Sequence, residues 1–487
     1  MKFNLYSTPA RPSTIHHIPS TIYHPPYTIR HPPSTIFHPP STIFPASLIL
    51  ILLFIGNFSY GQGRKNDLRA LNTLLQNPAL KSAHVGVYVY DDSLKKDIAA
   101  FQDDKYFVPA SNTKLFSLYA GMKYLGDSLV GIRYNSNDTA LFVYPSGDPS
   151  LLHPDYLEQP VMDFLKKTQK KIYFVDAAWQ EEPLGAGWAW DDYNDDYAIE
   201  RSLLPVYGNF IRWTQKKEPG SGNAAFETTP QVFSSPEISW KVNFSTDTAE
   251  KTFYVRRAKD TNTFEIRTGN EAFKEQDVPF ITNSLSSALE LLKDTLGKPV
   301  YSIQQAPAFS ALPSIIYSRP ADSVYIPMMH RSDNFFAEQT LLMVSDQKLG
   351  LMNDSKIIDS LLQQDYADLP QKPSWADGCG LSRFNLFSPR DFVMLLGKLK
   401  NEFGMDRMKK ILPTGGTGTL KRYYMNDSGS IFAKTGSLTG VLSLSGYLYT
   451  RKNRLLEFSV LVNNHYSSGT AVRKAVEEYI EYIRKNY

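Results

Sequence analysis

Cysteine is nearly missing from this 487-residue chain. Cys379 is the single one, so no disulfide can close within the chain, and cysteine usage carries no information on redox compartment. Net charge is scarce as well: 52 Lys and Arg against 49 Asp and Glu leave +3, which makes no electrostatic case for nucleic acid. Histidine is thin over most of the length, because five of the nine (His16, His17, His24, His31 and His38) crowd into the first 45 residues. The apolar run Ser47 to Gly56 is too short to span a bilayer comfortably. What remains, 42% hydrophobic and 21% charged residues, is ordinary for a globular protein with a large core.

The N-terminal stretch is a repeat. Residues 12–45 return with a period of seven, with Pro12, Pro19, Pro26, Pro33 and Pro40 in step and variants of Pro-Ser-Thr-Ile-x-His-Pro filling each unit. Proline at this density prevents helix and sheet, so residues 1–46 read as a disordered leader or a mis-assigned start, with a metal-binding histidine tail as the alternative. Residues 47–61 read as the apolar region and cleavage site of a secretory signal, with Ser59-Tyr60-Gly61 offering small residues before Gln62. The nearest upstream positive charge is Arg30, which fits a signal poorly and keeps an uncleaved anchor, with weak membrane association, as the alternative. On both readings the folded part is exported, to the periplasm or beyond.

Leu68 to Leu75 patterns as a short amphipathic helix. His84 to Tyr90 and Asp97 to Phe101 pattern as paired strands about a turn at Asp91-Asp92. A helix then runs from Ser111 to about Tyr124, with Leu115, Leu118, Tyr119 and Met122 as its buried stripe. Residues 131–307 change character, with short alternating strands such as Leu141 to Tyr144, Lys171 to Val175 and Phe264 to Ile266 between dense turn signals. They read as a mostly β insertion of one or two domains. Within it, Gly185 to Asp192 reads as a loop packed on its tryptophans rather than as a substrate wall. Helices return after Pro307, then Ser430 to Asn463 patterns as three antiparallel strands and Ala471 to Arg484 as a closing amphipathic helix. Residues 62–130 with 308–487 would therefore form one discontinuous domain.

Chemistry concentrates at three short patterns. Ser111-x-x-Lys114 sets a hydroxyl and an amine three apart, on one helical face, where a neutral lysine could take the serine proton. The pattern is weak alone, since Ser93-x-x-Lys96 and Ser345-x-x-Lys348 match it as surface sequence. Ser332-Asp333-Asn334 has a competitor in Ser221-Gly222-Asn223, but Lys434-Thr435-Gly436 has none, and Ile431-Phe432-Ala433 runs into it as a strand. Serine on a helix, Ser-x-Asn on a helical loop and Lys-Thr-Gly on an edge strand, in that order, form a known triple.

On these residues the chain resembles the serine penicillin-recognising enzymes, and within them the type-4 penicillin-binding proteins, a D-alanyl-D-alanine carboxypeptidase/endopeptidase family. The long interval between Ser111 and Ser332, Gly147-Asp148-Pro149-Ser150-Leu151, Gly187-Trp188-x-Trp190-Asp191-Asp192, the extension of Ser332-Asp333-Asn334 to Ala337-Glu338, Asp377-Gly378-x-Gly380-Leu381-Ser382-Arg383 and Gly415 to Leu420 are similar to features of that branch. Cys379 departs from it, standing where serine is usual, and so does the leader. The resemblance implies an α/β (α+β) fold: a transpeptidase-like domain with an antiparallel five-stranded sheet flanked by helices, plus the inserted domains. It implies Ser111 as nucleophile, Lys114 as base with its pKa depressed by Lys434, and Ser332 as proton relay to the leaving amine. Asn334, Lys434, Thr435 and Gly436 would bind substrate, and the backbone amides of Ser111 and Ser437 would form the oxyanion hole. The implied substrate is a peptidoglycan stem peptide ending in D-Ala-D-Ala, with β-lactams as covalent inhibitors and with no metal or organic cofactor. A β-lactamase and a non-catalytic peptidoglycan-binding protein of the same fold are the alternatives. Oligomeric state has no signature in the sequence.

Overall fold

The computed structural model describes residues 69–217, 230–245 and 251–487. The repeat leader, the apolar run and Ser221-Gly222-Asn223 lie outside the described residues. In chain order the first elements are a helix α1 (69–75), strands β1 (His84–Asp91) and β2 (Lys96–Phe101), and helix α2 (Lys114–Tyr124), which is entered through a 3₁₀ turn, Ala110–Thr113. Next come β3 (Ser128–Ser136), β4 (Ala140–Pro145), α3 (Pro160–Lys167) and β5 (Lys171–Val175). Short strands follow: β6 (Phe210–Lys216), β7 (Gln231–Ser235), β8 (Val242–Phe244), β9 (Tyr254–Arg257), β10 (Phe264–Arg267) and β11 (Phe273–Pro279). Then α4 (Ser286–Leu296), β12 (Val300–Ile303) and β13 (Ser314–Pro320) lead to α5 (Asp322–His330), α6 (Asn334–Leu349), α7 (Asp354–Gln363), α8 (Pro389–Phe403) and α9 (Met405–Ile411). The chain closes with β14 (Ile431–Leu438), β15 (Val441–Tyr449), β16 (Leu455–Asn463) and α10 (Gly469–Asn486).

The expected five-stranded antiparallel sheet is present, in the order β14-β15-β16-β1-β2. Its strands alternate, so each face buries its own set of side chains. On one face Val85, Val87, Val89, Leu442, Leu444, Val460 and Val462 pack with Leu71 and Leu74 of α1 and with Val476 and Ile480 of α10. Against the other face lies a mostly helical core in which Phe116 and Leu118 of α2 meet Met328, Phe336, Leu341, Phe392 and Leu396. Helix α2 is buried from Lys114 to Met122, so it is a central rod and not the one-sided amphipathic helix that its stripe of four suggested.

The middle of the chain builds three further sheets. One, β12-β5-β4-β3-β13, mixes antiparallel with parallel pairs; the other two, β8-β10-β9 and β11-β6-β7, have three strands each. The five-stranded sheet of this region runs from Ser128 to Pro320, so residues 131–307 lie within its span. No helix among the described residues is long and apolar enough to cross a membrane.

Candidate active site

Ser111 sits in the 3₁₀ turn that opens onto α2. The preceding residue, Ala110, is fully buried and holds a left-handed φ of 48°, a conformation that costs a non-glycine residue roughly 1–3 kcal/mol and persists only where surroundings enforce it. They do so here. Gly380 approaches so closely that a Cβ on it would lie 1.9 Å from Ala110 O, and a Cβ on Gly436 would lie 2.9 Å from Ser111 N and 2.7 Å from Pro109 O. These two glycines are required by contact, since the loop and β14 press on the serine turn from two sides. Asn112, its amide turned toward the sheet, donates to Lys434 O at 2.8 Å and accepts from Ser445 at 2.7 Å. The turn is thereby fastened to β14 and β15.

Lys114 is completely buried. Its Nζ donates to Ser111 Oγ (2.9 Å), Asn334 Oδ1 (2.6 Å) and Cys379 O (2.7 Å). Burial holds its pKa below the usual lysine value, while the carboxylates of Asp377, Glu338 and Asp333 pull the other way. Lys434 is equally buried and donates to Ser332 Oγ (2.9 Å) and Thr435 O (2.6 Å). Its pKa is pushed well down, first by burial and then by the charge of Lys114. The depression of Lys114 therefore comes chiefly from desolvation; the like-charge effect expected from Lys434 shows instead on Lys434 itself.

The 322–349 segment is two helices, broken where Ser332 adopts a φ of 63°. Asp333 caps α6 by accepting from Phe336 N at 3.0 Å, which places Asn334 at the first position of the helix. Asn334 donates through Nδ2 to Tyr197 O (2.8 Å) while Oδ1 receives Lys114. Ser111, Ser332, Asn334 and Ser437 line a groove of about 680 Å³, together with Gly380, Leu381, Arg383, Leu438, Thr439, Gly187, Ala189, Asp191, Asp192 and Tyr197.

The stretch Gly185 to Asp192, expected from the sequence to be loop packing, does more than that. Trp188 does pack inward, donating to Asp377 at 3.0 Å, but its neighbours form a groove wall. Thr435 and Gly436 lie instead at a separate small hollow with Leu420, Tyr424 and Arg473, on the α10 side of β14. Arg473 was also missed: from α10 it donates to Ser437 Oγ at 2.7 Å and so puts a cation beside the groove. Nothing in its local sequence marks it. The serine–lysine patterns at Ser93/Lys96 and Ser345/Lys348 fall away from this groove.

Behind Lys114 the loop 377–382 is caged by two buried carboxylates. Glu338 accepts from Cys379 N (2.7 Å), and its pKa is pushed up to about 7 by burial and the neighbouring Asp377 charge, against Arg201. Burial also raises the Cys379 thiol well above its ordinary range, which keeps it protonated. Glu338, Asp377 and Cys379 bring one ligand atom each within 4.8 Å of one another. The carboxylates are already engaged, however, by Cys379 N, Gly380 N, Ser382 N, Asn385, Trp188 and Arg201, so the set is built as an internal network rather than as a metal cradle.

A serine hydrogen-bonded to a buried lysine, with no histidine bonded to either among the described residues, set between an antiparallel sheet and a helical core, matches the class of penicillin-recognising serine hydrolases. The model of the D-Ala-D-Ala carboxypeptidase 3 (S13) family matches residues 68–487, and the chain belongs to that family; it is a serine-type hydrolase of the D-alanyl-D-alanine carboxypeptidase kind. A D-alanyl-D-alanine carboxypeptidase of Actinomadura sp. (strain R39) is 24% identical over 454 residues, covering 84% of this chain and 82% of the relative. D-alanyl-D-alanine carboxypeptidase DacB of Haemophilus influenzae is 23% identical over 430 residues, covering 80% and 87%. The crystal structure of penicillin binding protein 4 (dacB) from H. influenzae matches with a TM-score of 0.67 at 21% identity, over 85% of this chain and 98% of that one, a likeness of fold.

Proposed function

We propose that Ser111 carries the acyl-enzyme of a D-alanyl-D-alanine carboxypeptidase/endopeptidase that trims peptidoglycan stem peptides, and that β-lactams acylate the same oxygen. The observation that carries this reading is the 2.9 Å contact between Ser111 Oγ, which lines the groove, and Nζ of the fully buried Lys114. Neutral Lys114 takes the Ser111 proton as Oγ attacks the penultimate D-alanine carbonyl. The carbonyl oxygen gains charge against the backbone amides of Ser111 and Ser437. Ser332, held by Lys434, passes a proton to the departing D-alanine nitrogen, and water then releases the acyl group. Asn334 orients Lys114 and the substrate amide. Lys434, bonded to the groove residue Ser332, and Thr435 beside it on β14 bind the terminal carboxylate, with Arg473, bonded to Ser437, supplying positive charge beside the groove. We further propose that the region from 131 to 307 is the inserted unit, that residues 62–130 and 308–487 form the catalytic domain, and that the apolar run 47–61 directs export.

Labelling with a fluorescent penicillin tests the nucleophile. Wild type forms a covalent adduct and Ser111→Ala does not; an adduct persisting in the variant removes Ser111 from its role, and none on wild type removes the enzyme reading. Sustained nitrocefin turnover would mark a β-lactamase instead. Digestion of muropeptide monomers and cross-linked dimers, resolved by mass, separates carboxypeptidase from endopeptidase action.

A further inference from the structure

We infer that Asp377 is a positioning residue for the reaction: it grips the Cys379–Gly380 peptide so that the carbonyl faces Lys114 Nζ, and Trp188 ties that grip to the wall of the substrate groove. The inference rests on Lys114 being the base.

A trans peptide points its N–H and C=O in opposite directions. Gly380 N donates to Asp377 Oδ1 at 2.8 Å on one side, and Cys379 O accepts from Lys114 Nζ at 2.7 Å on the other. The carboxylate thus polarises the same peptide that binds the amine, and chained hydrogen bonds of this kind reinforce one another in a low-dielectric interior. Asp377 is fully buried and meets donors on all sides: Gly380 N, Ser382 N (2.6 Å), Asn385 Nδ2 (2.7 Å) and Trp188 Nε1 (3.0 Å). A group surrounded only by donors is satisfied as the carboxylate. Gly380, at a φ of 88°, has no room for a side chain, so the loop has a single way to lie.

Trp188 comes from the insertion. Its neighbours Gly187 and Ala189 line the groove that Ser111 shares, while its ring also lies over Arg201, 5.9 Å to the centroid. Arg201 in turn reaches Glu338 at 3.4 Å, and Glu338 holds Cys379 N. Two routes of contact therefore run from the groove wall at Gly187 and Ala189 to the Cys379 backbone. The charged and titratable groups facing Lys114 are Asp377, Glu338, Asp333, Cys379 and Lys434.

Two substitutions test this against a merely structural role. Asp377→Asn removes a negative charge that favours protonated Lys114 and sets an amide against donors. Acylation by a fluorescent penicillin should fall about 10²-fold, as expected for a reacting group displaced by about 1 Å. The acidic limb of its pH profile should also move to lower pH. Loss of rate with the limb in place means the residue only holds the fold, and overturns the inference. Trp188→Phe keeps the ring and removes one donor to the carboxylate. It should slow acylation about tenfold, the order expected for a hydrogen bond to a charged group; should Asp377→Asn fail to fold, Trp188→Phe within twofold of wild type overturns the inference. Lys114→Met separates the two claims. If it still acylates, the base assignment is wrong; if it is dead while both other variants behave as wild type, only the positioning role is lost.

Discussion

Replacing Gly380 by alanine probes the closest approach in the site. A Cβ at that position would sit 1.9 Å from Ala110 O, where real Cβ contacts essentially never fall below 3.0 Å. The loop and the serine turn must separate by at least 3.0 − 1.9 = 1.1 Å. The atom struck is backbone, so no side chain can swing aside. The φ of 88° adds strain, of the order of 1–2 kcal/mol for an L-residue forced into a left-handed conformation. Ala110 O belongs to the peptide that carries Ser111 N, so the displacement falls on both the nucleophile and one oxyanion donor. A misplacement of about 1 Å costs on the order of 10²-fold in rate, equivalent to about 2.7 kcal/mol of transition-state stabilisation. Stopped-flow acylation by a chromogenic β-lactam, with a thermal melt beside it, reads both effects. The expected result is a folded protein, melting a few degrees lower, that acylates about a hundredfold more slowly. A folded Gly380→Ala variant acylating within threefold of wild type would refute the claim that this contact sets the geometry of Ser111.

Because burial depresses Lys114, acylation should rise as pH increases through its folded-state pKa and fall when it protonates; a rate that does not fall at all on acidification of the folded protein would contradict lysine as the base. Lys434→Ala should raise KM for a peptide ending in D-Ala-D-Ala through loss of a hydrogen-bond donor near the carboxylate, and an unchanged KM counts against that role. Arg201 is 1% exposed and pairs with Asp354 (2.6 Å), Glu181 (3.2 Å) and Glu338 (3.4 Å). Arg201→Met leaves three carboxylates uncompensated and should cost about 3–5 kcal/mol in denaturant unfolding. Glu338, raised from 4.5 to about 7, takes up a proton on folding across that interval. Its contribution to stability is present below pH 4.5 and lost by about pH 7, and Glu338→Gln should flatten that slope in unfolding curves taken across the range.

The local elements were legible because their physics is local. Period-2 alternation announces β1, tight-turn signals between Ser430 and Asn463 announce the three closing strands, and the order of Ser111, Ser332 and Lys434 along helix, helical loop and strand brings the chemistry into view before any coordinate does. The single cysteine excludes a disulfide within the chain, and the small net charge makes no electrostatic case for nucleic acid, for equally direct reasons. Long-range packing was not legible. Desolvation, which turns Lys114 and Lys434 into candidates for neutral amines, arises only when α2, α6 and β14 close around them. No sequence window contains that burial. Arg473 illustrates the same limit, since it reaches Ser437 from α10, 36 residues further along the chain, and carries no local mark; the Trp188 stretch is marked in the sequence, but its bond to Asp377, 189 residues away, is not. Even Gly380 and Gly436 read only as motif glycines until the structure shows a carbonyl and an amide lying where their side chains would be. Residue types and their order determined the reaction class; the tertiary structure decided which amine is dry, which peptide faces it, and which side chains bond to that peptide, because dielectric, contact and exclusion are properties of neighbours in space.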